Sequence, residues 1–184
     1  MVAKNKTEIV HKYVYGDIKT HRLPLLCGIE VTFKCNLRCK HCYIKVSKTK
    51  EEVSTSDLKK IITDISGLRP LWLVLTGGEP FLRSDFIDIY THARKLGLLV
   101  VIFSNGTLIR EDTIKCLRDL PPFLIELTTY GFTKNTYERV TGVKGSYELY
   151  KRGLDLLLKN KIKFRLRAIG MQINKHEILD IKDF

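Results

Sequence analysis

The sequence has 184 residues, 44% hydrophobic and 28% charged, and Lys plus Arg exceed Asp plus Glu by 32 to 20, a formal charge of +12. This length supports one domain with a substantial core, and the composition excludes a disordered tail. No apolar run approaches the roughly 18–20 residues that span a bilayer, and the N-terminus lacks the apolar stretch of a signal peptide, so a cytoplasmic protein without a membrane partner is expected.

Residues 1–24 read as an N-terminal extension and residues 25–184 as one domain. Leu25 to Thr32 predicts a first strand that ends before a cysteine-rich loop. Apolar residues at 58, 61, 62, 65 and 68 predict an amphipathic helix over Asp57 to Leu68, with Ser54 and Asp57 as its capping box. Leu71 to Leu75 is a second strand, closed by Thr76-Gly77-Gly78. Ser84 is expected to cap a helix with Phe86, Ile89, Tyr90, Ala93 and Leu96 on one face, stopped at Gly97. Leu98 to Phe103 is apolar almost throughout, as in a strand covered on both faces, and Ser104-Asn105-Gly106-Thr107 follows as a loop. A helix from about Arg110 to Leu120 halts at Pro121-Pro122. Phe123 to Thr128 is the fourth strand. A short helix is expected over Asn135 to Val140, then a glycine-rich turn at Gly142 to Gly145 and a helix capped by Ser146 that runs to Lys159. Lys163 to Ala168, alternating basic and apolar residues, is the fifth strand, and His176 to Phe184 begins a further helix.

Strands alternating with helices argue for an α/β fold with a parallel sheet. Right-handed crossovers curl about five such β/α units into an open, partial TIM-like barrel. Such barrels place their chemistry at the C-terminal ends of the strands. The three unusual loops follow strands one, two and three: the cysteine loop, Gly77-Gly78-Glu79-Pro80 and Ser104-Asn105-Gly106-Thr107.

Three of the five cysteines, Cys35, Cys39 and Cys42, fall in a C-x3-C-x2-C spacing. The pattern points to metal binding in a reducing compartment rather than to a disulfide scaffold. Three thiolates this close can ligate three irons of a cubane cluster and leave the fourth iron open to an exogenous ligand. Structural zinc is the alternative, but it usually brings a second cysteine pair, and His41 sits awkwardly for a closed tetrahedron. Cys27 and Cys116 stand alone and read as core residues. The positive charge is spread along the chain, dense only at Lys45 to Lys50 and Lys159 to Arg167, with no nucleic-acid-binding motif beside it; a nucleic-acid partner is not expected.

The segment CNLRCKHCY closely resembles the signature of radical S-adenosylmethionine (radical SAM) enzymes. Gly77-Gly78-Glu79-Pro80 looks like the GGE motif after their second strand, and Ser104 to Thr107 like the segment after the third. Tyr130-Gly131, Tyr137 to Gly142 and Gly145-Ser146-Tyr147 look like the fourth-strand region of SPASM-type members, which include maturases of ribosomal peptides and of anaerobic sulfatases.

That resemblance implies a 4Fe–4S cluster on Cys35, Cys39 and Cys42 and S-adenosylmethionine (SAM) on the open iron. One electron would cleave its C5′–S bond, and the 5′-deoxyadenosyl radical would abstract hydrogen from a peptide or protein. Reduced flavodoxin or ferredoxin would supply the electron. By position, Gly77, Gly78 and Glu79 would approach the SAM ammonium through backbone. His41 and Tyr43 would meet the adenine, and Ser104 and Asn105 the ribose or carboxylate. Thr128 and Arg139 are further cofactor candidates, Arg139 through a paired bond to the carboxylate. Gln172 is a weaker one. Lys34 and Arg38 flank the cluster as tuning or simply solvated charges. An electron-transfer or metal-binding module also needs the cysteines, but not Gly77-Gly78-Glu79. Family members continue through a sixth strand, and SPASM-type members add a cysteine-rich region. The sequence is therefore expected to be an N-terminal part of such an enzyme, poorly soluble alone because an open barrel edge exposes unpaired strand groups.

Overall fold

The computed structural model describes residues 24–44 and 51–183. The proposed extension 1–24, except Pro24, and the basic run 45–50 lie outside the described residues. Five strands, β1 (Leu26–Thr32), β2 (Trp72–Gly77), β3 (Val100–Ser104), β4 (Leu124–Thr129) and β5 (Phe164–Ala168), form one sheet in sequential order. Every neighbouring pair is parallel. Helices α1 (Thr55–Gly67), α2 (Phe86–Lys95) and α3 (Glu111–Asp119) make the first three crossovers; α4 (Lys134–Thr141) and α5 (Ser146–Lys159) share the fourth. This is the expected α/β partial barrel of five units. No helix among the described residues is long and apolar enough to cross a membrane.

The twofold period of a strand separates the two faces of the sheet. Leu73 and Leu75, Val100 and Ile102, Ile125 and Leu127 are fully buried. They share one core with Leu58 and Ile62 of α1, Phe86, Ile89 and Tyr90 of α2, Ile114 and Leu117 of α3, and Leu154 and Leu157 of α5. Burying a side chain of this size contributes about 1.5–3 kcal/mol, so this layer dominates the stability. The intervening residues Thr76, Phe103, Thr128, Arg165 and Arg167 line a cavity on the other face.

The Ser54 hydroxyl caps α1, accepting from the Asp57 amide (3.1 Å) and donating to the Asp57 carboxylate (2.7 Å). Two expected caps are corrected. Helix α2 begins at Phe86 after Asp85, not after Ser84, and Asp85 makes no cap bond. The Arg83 guanidinium holds its carboxylate at 2.6 and 2.9 Å, and the Thr55 hydroxyl donates to it as well. Ser146 is the first residue of α5, after Gly145 in the left-handed region, and its hydroxyl turns back to donate to the Val143 carbonyl (2.7 Å).

The helix expected from His176 is replaced by 3-10 turns at Lys175–Glu177 and Asp180–Asp183. Side chains tie this segment down before it can wind. Asn174 donates to the carbonyls of Tyr130 and Ile169, both at 2.9 Å. The Glu177 carboxylate accepts from the Phe132 amide (2.7 Å), the Thr133 amide (3.0 Å) and the Thr133 hydroxyl (2.6 Å), serving donors at the start of α4.

Candidate functional site

The loops after the strands meet at the C-terminal edge of the sheet, and the cysteine loop is held from two sides. At the end of β2, the Gly78 amide donates to the Thr32 carbonyl (2.8 Å) and the Glu79 amide to the Lys34 carbonyl (2.9 Å). A Cβ on Gly78 would stand 2.2 Å from the Lys34 oxygen, and one on Gly77, at φ +137°, 2.3 Å from the Thr32 oxygen. The glycines thus make room for the backbone of the cysteine loop itself. On the other side, the Arg38 and Lys40 amides donate to the last carbonyls of α4.

A buried polar relay joins three loops. Glu79 is fully buried and accepts from the Ser104 hydroxyl (2.8 Å) and the amides of Asn105 (2.7 Å) and Phe81 (3.1 Å). Burial pushes its carboxyl up to about 7 against the pull of those donors. The Asn105 amide group donates to Asn36 Oδ1 (3.0 Å) and, more weakly, to the Cys35 sulfur (3.8 Å). Its oxygen accepts from the Thr107 amide (2.9 Å) and hydroxyl (2.6 Å), and Asn36 donates to the Thr107 hydroxyl (2.8 Å).

The cavity measures about 610 Å³ and contains Cys35, Cys39 and Cys42 on its lining. Cys35 and Cys39 are partly buried and Cys42 is exposed. Burial pushes the Cys35 thiol up, opposed by the Leu37 amide at 3.4 Å. Burial likewise pushes Cys39 up to about 11, opposed by a hydrogen bond from the Tyr130 hydroxyl. The His41 ring lies 5.2 Å from that of Tyr130, and burial lowers its pKa. Among the described residues, no three His, Cys, Asp or Glu side chains converge on a single ion.

Of the cofactor candidates, His41, Tyr43, Gly77, Gly78, Ser104, Asn105 and Thr128 line this cavity with the cysteines. Glu79 does not; it lies behind the wall as the anchor of the relay. Arg139 is exposed on α4, and Gln172 is exposed beyond β5; neither lines the cavity. Lys34 pairs with Glu52 at 3.3 Å in a separate polar cleft with Arg83 and Asp85. Cys27 and Cys116 pack against the core. Sequence reasoning gave no role to Phe103, Tyr130, Arg165 or Arg167, which also line the cavity. Counting alternate positions from the buried leucines of β2 across the sheet would have exposed the signal.

The pattern of the Radical SAM superfamily matches residues 29–184. The chain is 32% identical over 153 residues to the Fe-coproporphyrin III synthase of Methanosarcina barkeri (strain Fusaro / DSM 804), covering 82% of this chain and 37% of that protein. It is 24% identical over 171 residues to a PqqA peptide cyclase of Bradyrhizobium diazoefficiens, covering 89% of this chain and 43% of that protein. Among solved structures, Streptococcus suis SuiB bound to S-adenosylmethionine superposes with a TM-score of 0.77 at 19% identity, covering 100% of this chain and 44% of SuiB. The chain thus spans less than half the length of each of these three relatives.

Proposed function

The chain belongs to the radical SAM superfamily, and from that premise we propose that it holds a 4Fe–4S cluster through Cys35, Cys39 and Cys42 and cleaves SAM reductively to modify a peptide or protein. The carrying observation is that the three thiols share one cavity with Gly77, Gly78, Ser104, Asn105 and Thr128. The donor set fits the cluster. Three soft sulfur ligands stand in one loop, and hydrogen-bond donors from Leu37, Asn105 and Tyr130 meet two of them.

When bound, the cluster supplies one electron that cleaves the C5′–S bond of SAM and releases a 5′-deoxyadenosyl radical. The polypeptide binds and shields. Gly77 and Gly78 offer backbone to the SAM ammonium. His41, its ring tilted against that of Tyr130, and Tyr43 border the adenine. Ser104, Asn105 and Thr128 offer polar groups to ribose and carboxylate. Glu79 acts indirectly, by fixing Ser104 and Asn105. Arg139, exposed on α4, is the further candidate for the SAM carboxylate. Residues 25–184 form the core domain of this activity, reduced flavodoxin or ferredoxin is the electron donor, and the protein works in the cytoplasm.

A peptide or protein substrate is supported by likeness to a PqqA peptide cyclase. The test is anaerobic reconstitution with iron and sulfide, reduction, and addition of SAM. Release of 5′-deoxyadenosine and a changed paramagnetic signal are expected. A signal indifferent to SAM, with no 5′-deoxyadenosine, would favour an electron-transfer module and overturn the reading.

A further inference from the structure

We propose that Arg165 and Arg167, held by Glu126, form a site that receives a carboxylate of the substrate; this rests on the reading of the cysteine-lined cavity as the substrate cavity. On β5, Phe164 and Leu166 pack into the core, which puts Arg165 and Arg167 on the opposite face, where both line that cavity. In the β4–β5 register, Glu126 stands beside Arg165 and Thr128 beside Arg167.

Glu126 is 4% exposed, and a carboxylate so buried requires cationic partners. Arg165 donates to one of its oxygens through Nη2 and Arg167 to the same oxygen through Nη2 at 3.1 Å, while Arg167 Nε forms an ion pair with the other oxygen. The Arg167 guanidinium also lies over the Phe103 ring, 5.4 Å from its centroid. Both cations are therefore held in place before any ligand arrives. Two cations against one anion leave one positive charge. Each guanidinium carries five N–H donors, and Glu126 uses a minority of them; among the described residues no other acceptor engages the rest. Over half of each side chain is exposed. A planar, forked cation pair with one net charge matches a single carboxylate, an acidic side chain of a peptide, more closely than a phosphate.

The experiment uses the anaerobically reconstituted protein and two dansyl-labelled, end-blocked peptides that differ only in a central Glu or Gln. The Glu peptide is expected to bind about tenfold more tightly, the scale of one charge-assisted hydrogen-bond pair. E126Q/R165Q/R167Q, which leaves no unpaired buried carboxylate, should erase the preference, and R165K/R167K should keep part of it. A preference that survives the triple variant reflects the basic surface at large and overturns the site, as does no preference in the parent protein for any carboxylate probe. Loss of the SAM-induced change in the cluster signal in the triple variant assigns the arginines to SAM and also overturns it. Fe-coproporphyrin III, whose propionates carry the same group, is the second probe. If its binding depends on the arginines while neither peptide binds, the carboxylate site stands and the peptide reading fails. If the parent protein releases no 5′-deoxyadenosine, the radical reading fails independently of these preferences.

Discussion

The backbone amide of Arg38 donates a 2.9 Å hydrogen bond to the carbonyl of Thr141, and two residues on, Lys40 does the same to Val140 at 3.0 Å. The last carbonyls of a helix have no partner within it, and here α4 offers two of them to the loop that carries Cys35, Cys39 and Cys42. The helix ends at Gly142, at φ +67°, where a Cβ would lie 3.0 Å from the Arg38 oxygen.

Gly142→Ala should therefore lower stability by about 1–2 kcal/mol, the cost of a side chain in the left-handed region, and should also reduce iron bound after reconstitution. Gly145→Ala provides the contrast. It shares the positive φ, at +79°, but a Cβ there meets nothing within 4 Å. It should cost similar stability and leave iron content unchanged. Urea midpoints and iron and sulfide assays on both variants check this; equal iron loss in the two would remove the proposed support from α4.

Glu79→Gln should destabilise the fold by about 1–3 kcal/mol, because an amide NH2 would have to face a donor that the carboxylate accepts. The deficit should depend on pH. The folded carboxyl titrates near 7, above its ordinary 4.5, so the native state holds its proton more tightly than the unfolded chain does. This group's contribution is complete below about pH 4.5 and is lost as pH rises to about 7. The variant lacks that loss, so the gap between variant and parent should narrow over the same interval. A constant gap in urea midpoints would contradict the buried, elevated carboxyl.

Asp85 has the opposite sign. Its hydrogen bonds from Arg83, then from Thr55, hold its carboxyl down at about 2, below the ordinary 3.8. Its stabilisation is present above about pH 4 and disappears as pH falls toward 2. Asp85→Asn should flatten that acid limb of the stability profile. Arg83 also donates to the carbonyls of Val31 and Val53, both at 2.8 Å, so Arg83→Lys should cost about 1–3 kcal/mol at neutral pH through lost forked bonds. Chemical denaturation across the acid range measures both.

Replacing Cys35, Cys39 or Cys42 with Ala should abolish stoichiometric iron and sulfide binding. Cys27→Ala and Cys116→Ala should retain it, with a modest loss of stability, because those thiols pack against the core. Iron and sulfide analysis with a thermal melt separates the two groups. Full loading of a Cys39→Ala variant would remove Cys39 from the ligand set.

The strands, their order and the loops at their ends were legible in the sequence because each signal is local. Runs such as Leu98 to Phe103 and stripes such as that of α1 declare themselves within a few residues. The caps at Ser84 and Ser146 misled, because Arg83 draws in Asp85 from beside the expected cap and Val143 captures the Ser146 hydroxyl. The last helix misled because Glu177 spends its carboxylate on α4, more than 40 residues earlier in the chain. The sequence offers the Glu79 backbone to the cofactor but gives no sign that its side chain is buried against Ser104 and Asn105.

By itself the sequence determined the five β/α units and the cluster-binding spacing, since hydrophobic period and cysteine spacing are properties of neighbours along the chain. Only the tertiary structure decided that α4 braces the cysteine loop, that Gly77 and Gly78 make way for backbone, and that Arg165 and Arg167 enter the same cavity as the thiols. Those outcomes depend on how the parallel sheet brings distant backbones and the alternate faces of separate strands together, a distance that no local pattern encodes.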